Sequence, residues 1–213
     1  MQGMPADTSI EGEVISDAAR RPTDTVRGSV CDTGRAAPLA DRCVDAFAAV
    51  AAHVQARYRV PVVADDVPEP FKGDLDGATI IVGRDNPPEV RLFLVAHLFG
   101  HTVQWNTSEH ARRLGMHMPV NPDERMLDLL EAYEREACGF SQRAMHEAGI
   151  EDLDQWLADY SACDFAFLRH FYRTGERRAF DGFWREGRPL LTPLDIPGFT
   201  PRRWRRRHQA IVV

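Results

Sequence analysis

Lysine is nearly absent: Lys72 is the single lysine among 26 basic residues in a chain of 213. Together with the abundance of Ala, Asp and Gly, this bias reads as GC-rich coding and carries no functional information. Positive charge is not in excess either. The net charge of -6 argues against a general nucleic-acid binder, because phosphate binding rests on a basic surface. Four cysteines, Cys31, Cys43, Cys138 and Cys163, lie far apart with no C-x-x-C pair, which speaks against a zinc ribbon or a dense disulfide framework. A reduced cytosol is the simplest setting. No stretch approaches the roughly 20 apolar residues that span a bilayer, and no basic segment leads into an apolar signal region. A cytoplasmic protein without membrane contact is expected. Internal repeats and a convincing helix-turn-helix segment are also missing, so any DNA contact is expected to run through another protein.

What is present suits one buried core, with 44% hydrophobic and 27% charged residues. Residues 1–38 lack hydrophobic periodicity and read as a flexible leader. A main domain is expected over 39–150. Within it, Asp41 is placed to cap a helix to about Tyr58, with Val44, Phe47, Ala48, Ala51 and Val54 on one face. Val60 to Ala64 reads as a short strand, Asp65 to Asp76 as a loop, and Ala78 to Val82 as a strong strand. Pro87 and Pro88 suit the first turn of a helix from Glu89 to about Trp105. Asn106 to Pro122 reads as a connection. Asp123 opens a second long helix with Leu127, Leu130, Ala137, Phe140 and Ala144 at helical intervals, ended by Gly149. Residues 151–187 form a helical extension, Leu153 to Tyr172 being its main helix. Pro189, Pro193, Pro197 and Pro201 mark 188–213 as an extended, Arg-rich tail.

The chemistry centres on Leu94 to Asn106, LVAHLFGHTVQWN. Residues four apart on a helix share a face, so His97 and His101 can present two imidazoles to one ion. The small residues Ala96 and Gly100 are expected to let this helix pack closely against a sheet. Catalytic zinc takes three protein ligands and an open position. The second helix, LLEAYEREACGF, offers the third. Glu134 is in line with Ala137 and Phe140 and points inward; Glu131, one turn earlier, is the other candidate. Glu136 lies about 200° away at about 100° per residue and reads as solvated.

At this point the chain resembles the ImmA/IrrE family of small zincin metallopeptidases. The resemblance runs in order through a first helix, Val60-Pro61-Val62, the ATIIV strand, Arg91, VAHLFGH and EREACGF. It implies an α+β fold with a zincin-like minimal metallopeptidase core: a small sheet, a metal-binding helix and a second ligand helix, here with a C-terminal helical extension. It assigns His97, His101 and Glu134 as metal ligands. One departure stands out. Leu98 occupies the position of the family's glutamate general base, a role that typically contributes about 10²- to 10⁴-fold.

Three functional readings follow. An atypical hydrolase would use Zn2+ as a Lewis acid, with Glu131 or Glu89 as the replacement base and Tyr133 or His117 steadying an oxyanion. A non-hydrolytic enzyme would use the same triad for Fe2+, as in the non-haem oxygenases, which need no glutamate base. A pseudopeptidase would serve as a regulatory or binding protein with a protein partner. For either enzyme the substrate is a small molecule or a peptide. Gln104, Trp105 and Asn106 are candidates for the pocket mouth, and His110 is the best additional ligand. Cys138 reads as a small buried hydrophobe on the metal-facing side of its helix. The aromatics from Phe165 to Trp184 read as core or as a lid over the cleft. Arg202 to Arg207 either pairs with carboxylates, the favoured reading, or binds nucleic acid or an acidic partner, with Trp204 available for stacking.

Overall fold

Helix α1, Thr33–Tyr58, buries Cys43, Ala46, Val50 and Val54, which recur at the three- and four-residue spacing of one helical face. The buried stripe is not the expected one. Val44 is 49% exposed, because apolar residues ring most of this helix and the chain pattern does not single out one side. The helix also begins earlier than Asp41. Arg59, at φ 60°, turns the chain out of α1 and into Val60 and Pro61. The computed structural model describes residues 33–68, 71–116 and 122–205. The leader before Thr33, Cys31, His117 and the end of the tail therefore lie outside the described residues.

Three strands follow: β1 Val62–Asp65, β2 Gly73–Leu75 and β3 Ile80–Gly83. They form one sheet in the order β1-β3-β2, with β1 parallel and β2 antiparallel to the central β3. Register pairs Val62 with Ile80 and Leu75 with Ile80 from the other side. All four residues of β3 are buried, as a short β-branched central strand requires. Strand β2 falls in the stretch expected to be a loop. Its Gly-Asp-Leu sequence has no strand signature, and its pairing with β3 decides its conformation.

Helix α2, Pro88–Thr107, starts on its two prolines and is buried without interruption from Leu92 to Trp105. A short α3, Glu109–Met116, occupies part of the expected connection. Helix α4, Glu124–Glu147, is capped by Asp123, whose side chain accepts from the Met126 amide at 2.8 Å, a bond worth about 1 kcal/mol. Helix α5, Asp154–Thr174, and a 3₁₀ turn at Phe180–Phe183 complete the helical part. The described residues are thus α+β, with five α-helices and a small mixed sheet. No described helix is long and apolar enough to cross a membrane.

The close approach in this fold is between α2 and α4. A Cβ on Gly100 would sit 2.1 Å from the Ala137 carbonyl oxygen, so only glycine fits there. The Ser141 hydroxyl donates to the Ala96 carbonyl at 2.9 Å across the same contact. The small residues flanking the histidines therefore pack α2 against α4, rather than against the sheet. Beyond the helices the tail runs extended. Trp204 N–H donates to the Asp76 carbonyl at 2.7 Å, and Arg203 and Arg205 pair with Asp76 and Asp74.

Candidate metal centre

The α2–α4 contact brings three ligand atoms together. His97 Nε2 and His101 Nε2 are 3.0 Å apart, and Glu134 Oε2 lies 3.1 Å from the first and 3.0 Å from the second. A single ion with ligands at about 2.0–2.1 Å sets such atoms about 2.9–3.4 Å apart. His97, His101 and Glu134 thus form a buried group able to hold a metal ion.

Protonation is arranged for the same purpose. Burial pushes the Glu134 carboxyl upward, but the His101 and His97 imidazoles outweigh it and hold the carboxyl well below the usual carboxylate range. Burial, helped by His101, lowers the His97 pKa. A deprotonated carboxylate and a histidine that sheds its proton readily are the forms that metal ligation needs.

The far side of each ring is also held. Gln104 donates its amide protons to the Tyr133 carbonyl at 2.8 Å and to Glu136 at 2.7 Å, which turns its oxygen toward His101 Nδ1, 2.9 Å away. His101 therefore carries its proton on Nδ1 and presents the Nε2 lone pair to the ligand triangle. His97 Nδ1 faces Cys138 Sγ at 3.5 Å; burial keeps that sulfur a thiol by pushing its pKa up. Phe93 stacks on His97 and Tyr133 on His101, with ring centroids 4.9 and 4.6 Å apart.

The triad lines a cavity of about 590 Å³ with mostly apolar walls. Leu98 is fully buried, reaches this cavity, and abuts Gly73 of β2. Tyr133 and Trp105 also line it, and the Trp105 indole N–H donates to the Tyr133 hydroxyl at 2.8 Å.

Other sequence candidates lie elsewhere. Gln104 is 1% exposed and acts on His101, not at a pocket mouth. Asn106 donates to Gly77 and Thr102 carbonyls and accepts from Arg202 and Trp204, so it ties the tail to the body. Glu131 gives one oxygen to Arg135 at 2.6 Å and the other to Arg169 at 3.3 Å, and it does not line the main cavity. Glu89 lies in the first turn of α2 and His110 is exposed on α3, both away from the cavity lining. Glu136 is exposed as expected but accepts from Gln104.

Several cavity residues escaped the sequence reading, and one of them is acidic and buried. Asp164, on α5, lines the cavity at 6% exposure. Its signal was an acidic residue on the apolar face of a helix, between Tyr160 and Phe167. No protein-family model, curated protein or solved structure matches the chain.

Proposed function

We propose that the protein is a metal-dependent enzyme on a metallopeptidase-like, ImmA/IrrE-like core, with His97, His101 and Glu134 holding one divalent ion. The observation that carries this reading is the triangle of three buried ligand atoms on the wall of a cavity of about 590 Å³. A zinc ion bound there would supply Lewis acidity toward a carbonyl or similar oxygen. The chain's own residues supply the rest. Gln104 fixes the His101 ring, the Phe93 and Tyr133 rings hold the imidazoles in place, and the largely apolar walls offer a surface for an apolar ligand. The Tyr133 hydroxyl, already accepting from Trp105, keeps its proton free to donate into the cavity.

Leu98 sets the reaction apart from ordinary peptide hydrolysis, since leucine takes no proton. Small molecules or short peptides with an apolar body suit the walls better than an extended polar chain. A second reading shares the same atoms. Two imidazoles and one carboxylate also form one face of an octahedron, the arrangement of non-haem Fe2+ oxygenases, and that chemistry asks for no glutamate base.

Metal analysis of protein purified without chelators tests both. About one zinc or iron per chain is expected in the wild type, with loss of the ion in His97→Ala. Absence of metal together with unchanged stability of His97→Ala would overturn the reading and leave a non-catalytic binding role. Leu98→Glu is expected to create cleavage of an unstructured protein substrate that the wild type lacks. Efficient cleavage by the wild type would refute the argument from Leu98.

A further inference from the structure

Asp164 plays no part in the proposed ligand set, yet it is buried in the wall of the same cavity. It has no hydrogen-bond or ion-pair partner among the described residues. Burial and the charge of Glu134 raise its pKa well above the ordinary value. A carboxyl desolvated without a partner is unfavourable, and such groups mark places where a ligand completes the hydrogen bonding.

The surroundings define that ligand. Asp164 shares a face of α5 with Tyr160, one turn before it, and Phe167, nearly one turn after; both line the cavity. Tyr160 stacks on Phe93 at 4.2 Å, and Phe167 packs against Phe180 at 5.8 Å. Tyr172 adds a further ring to the lining. Aromatic faces attract cations, and a buried carboxylate forms its strongest hydrogen bonds with a charged donor. The lining also carries Lys72, Arg177, Arg178 and Arg205, but the first three are exposed and Arg205 pairs with Asp74, so the charge of Glu134 at the buried end disfavours a second carboxylate beside Asp164. A neutral hydroxyl would gain only an uncharged hydrogen bond.

We infer that the cavity is a recognition site for an amine with an apolar or aromatic body, its ammonium group paired with Asp164. The inference stands apart from the metal reading and is tested separately from it. Phenethylamine, phenethyl alcohol and hydrocinnamate differ chiefly in the charge of one end. Each is titrated by calorimetry into the full-length protein, with and without EDTA. Phenethylamine is expected to bind roughly tenfold or more tightly than either of the others in EDTA, and Asp164→Asn to remove that preference while melting as a folded protein.

Several results would overturn the inference: no binding of the amine, equal binding of the alcohol, or tighter binding of the acid. A preference retained in Asp164→Asn would also overturn it. Amine binding that vanishes with EDTA and survives in Asp164→Asn would make a metal ion the anchor and defeat the assignment to Asp164. The ligand series on the unaltered protein decides the question if Asp164→Asn does not fold. Failure of metal binding in His97→Ala would leave the outcome in EDTA unchanged, so the two proposals fail independently.

Discussion

Gln104 has both amide protons committed, to Tyr133 and Glu136, and this leaves its oxygen for His101. Partners that orient a ligating histidine typically contribute about 10- to 100-fold in metal affinity. Gln104→Leu is therefore expected to weaken binding by about that factor, read by competition with a fluorescent chelator. Asp164 makes a prediction of opposite sign. Burial, with the charge of Glu134, holds its folded pKa well above the usual carboxylate range. Between the unfolded and folded values the unfolded chain has released the proton and the folded chain has not, so stability falls as pH rises from there. In EDTA, Asp164→Asn is expected to be more stable than the wild type at neutral pH, with the gain shrinking below about pH 4, where the unfolded carboxyl is also protonated. Urea melts at several pH values check this. His97, His101 and Glu134 were legible as candidates because helical spacing is written in the chain. The roles of Gln104 and Asp164 were not, because each depends on which residue of another helix lies opposite.

Among the elements, the α2–α4 contact carries the most consequence. It places Gly100 against the Ala137 backbone and so sets the distance between the histidines and Glu134. Gly100→Ala adds a methyl where 2.1 Å is available. A loss of about 1–3 kcal/mol in urea unfolding is expected, together with weakened metal binding, since overpacking forces the backbones apart. Long helices and the β-branched strand were readable from periodicity. Strand β2 was not, because its identity comes from pairing with β3, and the buried side of α1 was misjudged because apolar residues surround it.

For the whole molecule, the tail is a structural strap. Gly77, at φ 94°, leaves no room for a Cβ, which would meet Trp204 at 2.4 Å. Asp76 binds its own turn through the Ala78 and Thr79 amides and holds Arg203 at 2.8 Å. Arg205 crosses the Trp105 ring at 4.9 Å and also lines the cavity. A chain ending at Pro201 is expected to melt several degrees lower and to exchange amide hydrogens faster over residues 73–79. Unchanged exchange there would show that the strap is dispensable. The pairing of this Arg-rich run with acidic residues agrees with the favoured reading of its charge for Arg203 and Arg205; Arg206 and Arg207 lie outside the described residues.

The unbroken burial of α2 from Leu92 to Trp105 also couples the site to the fold. A segment this apolar has no solvated face of its own, so its histidines meet Glu134 only once α4 has docked. The ligand triangle is therefore complete only in the folded chain, and an ion held there would stabilise the docked α2–α4 pair over the separated helices.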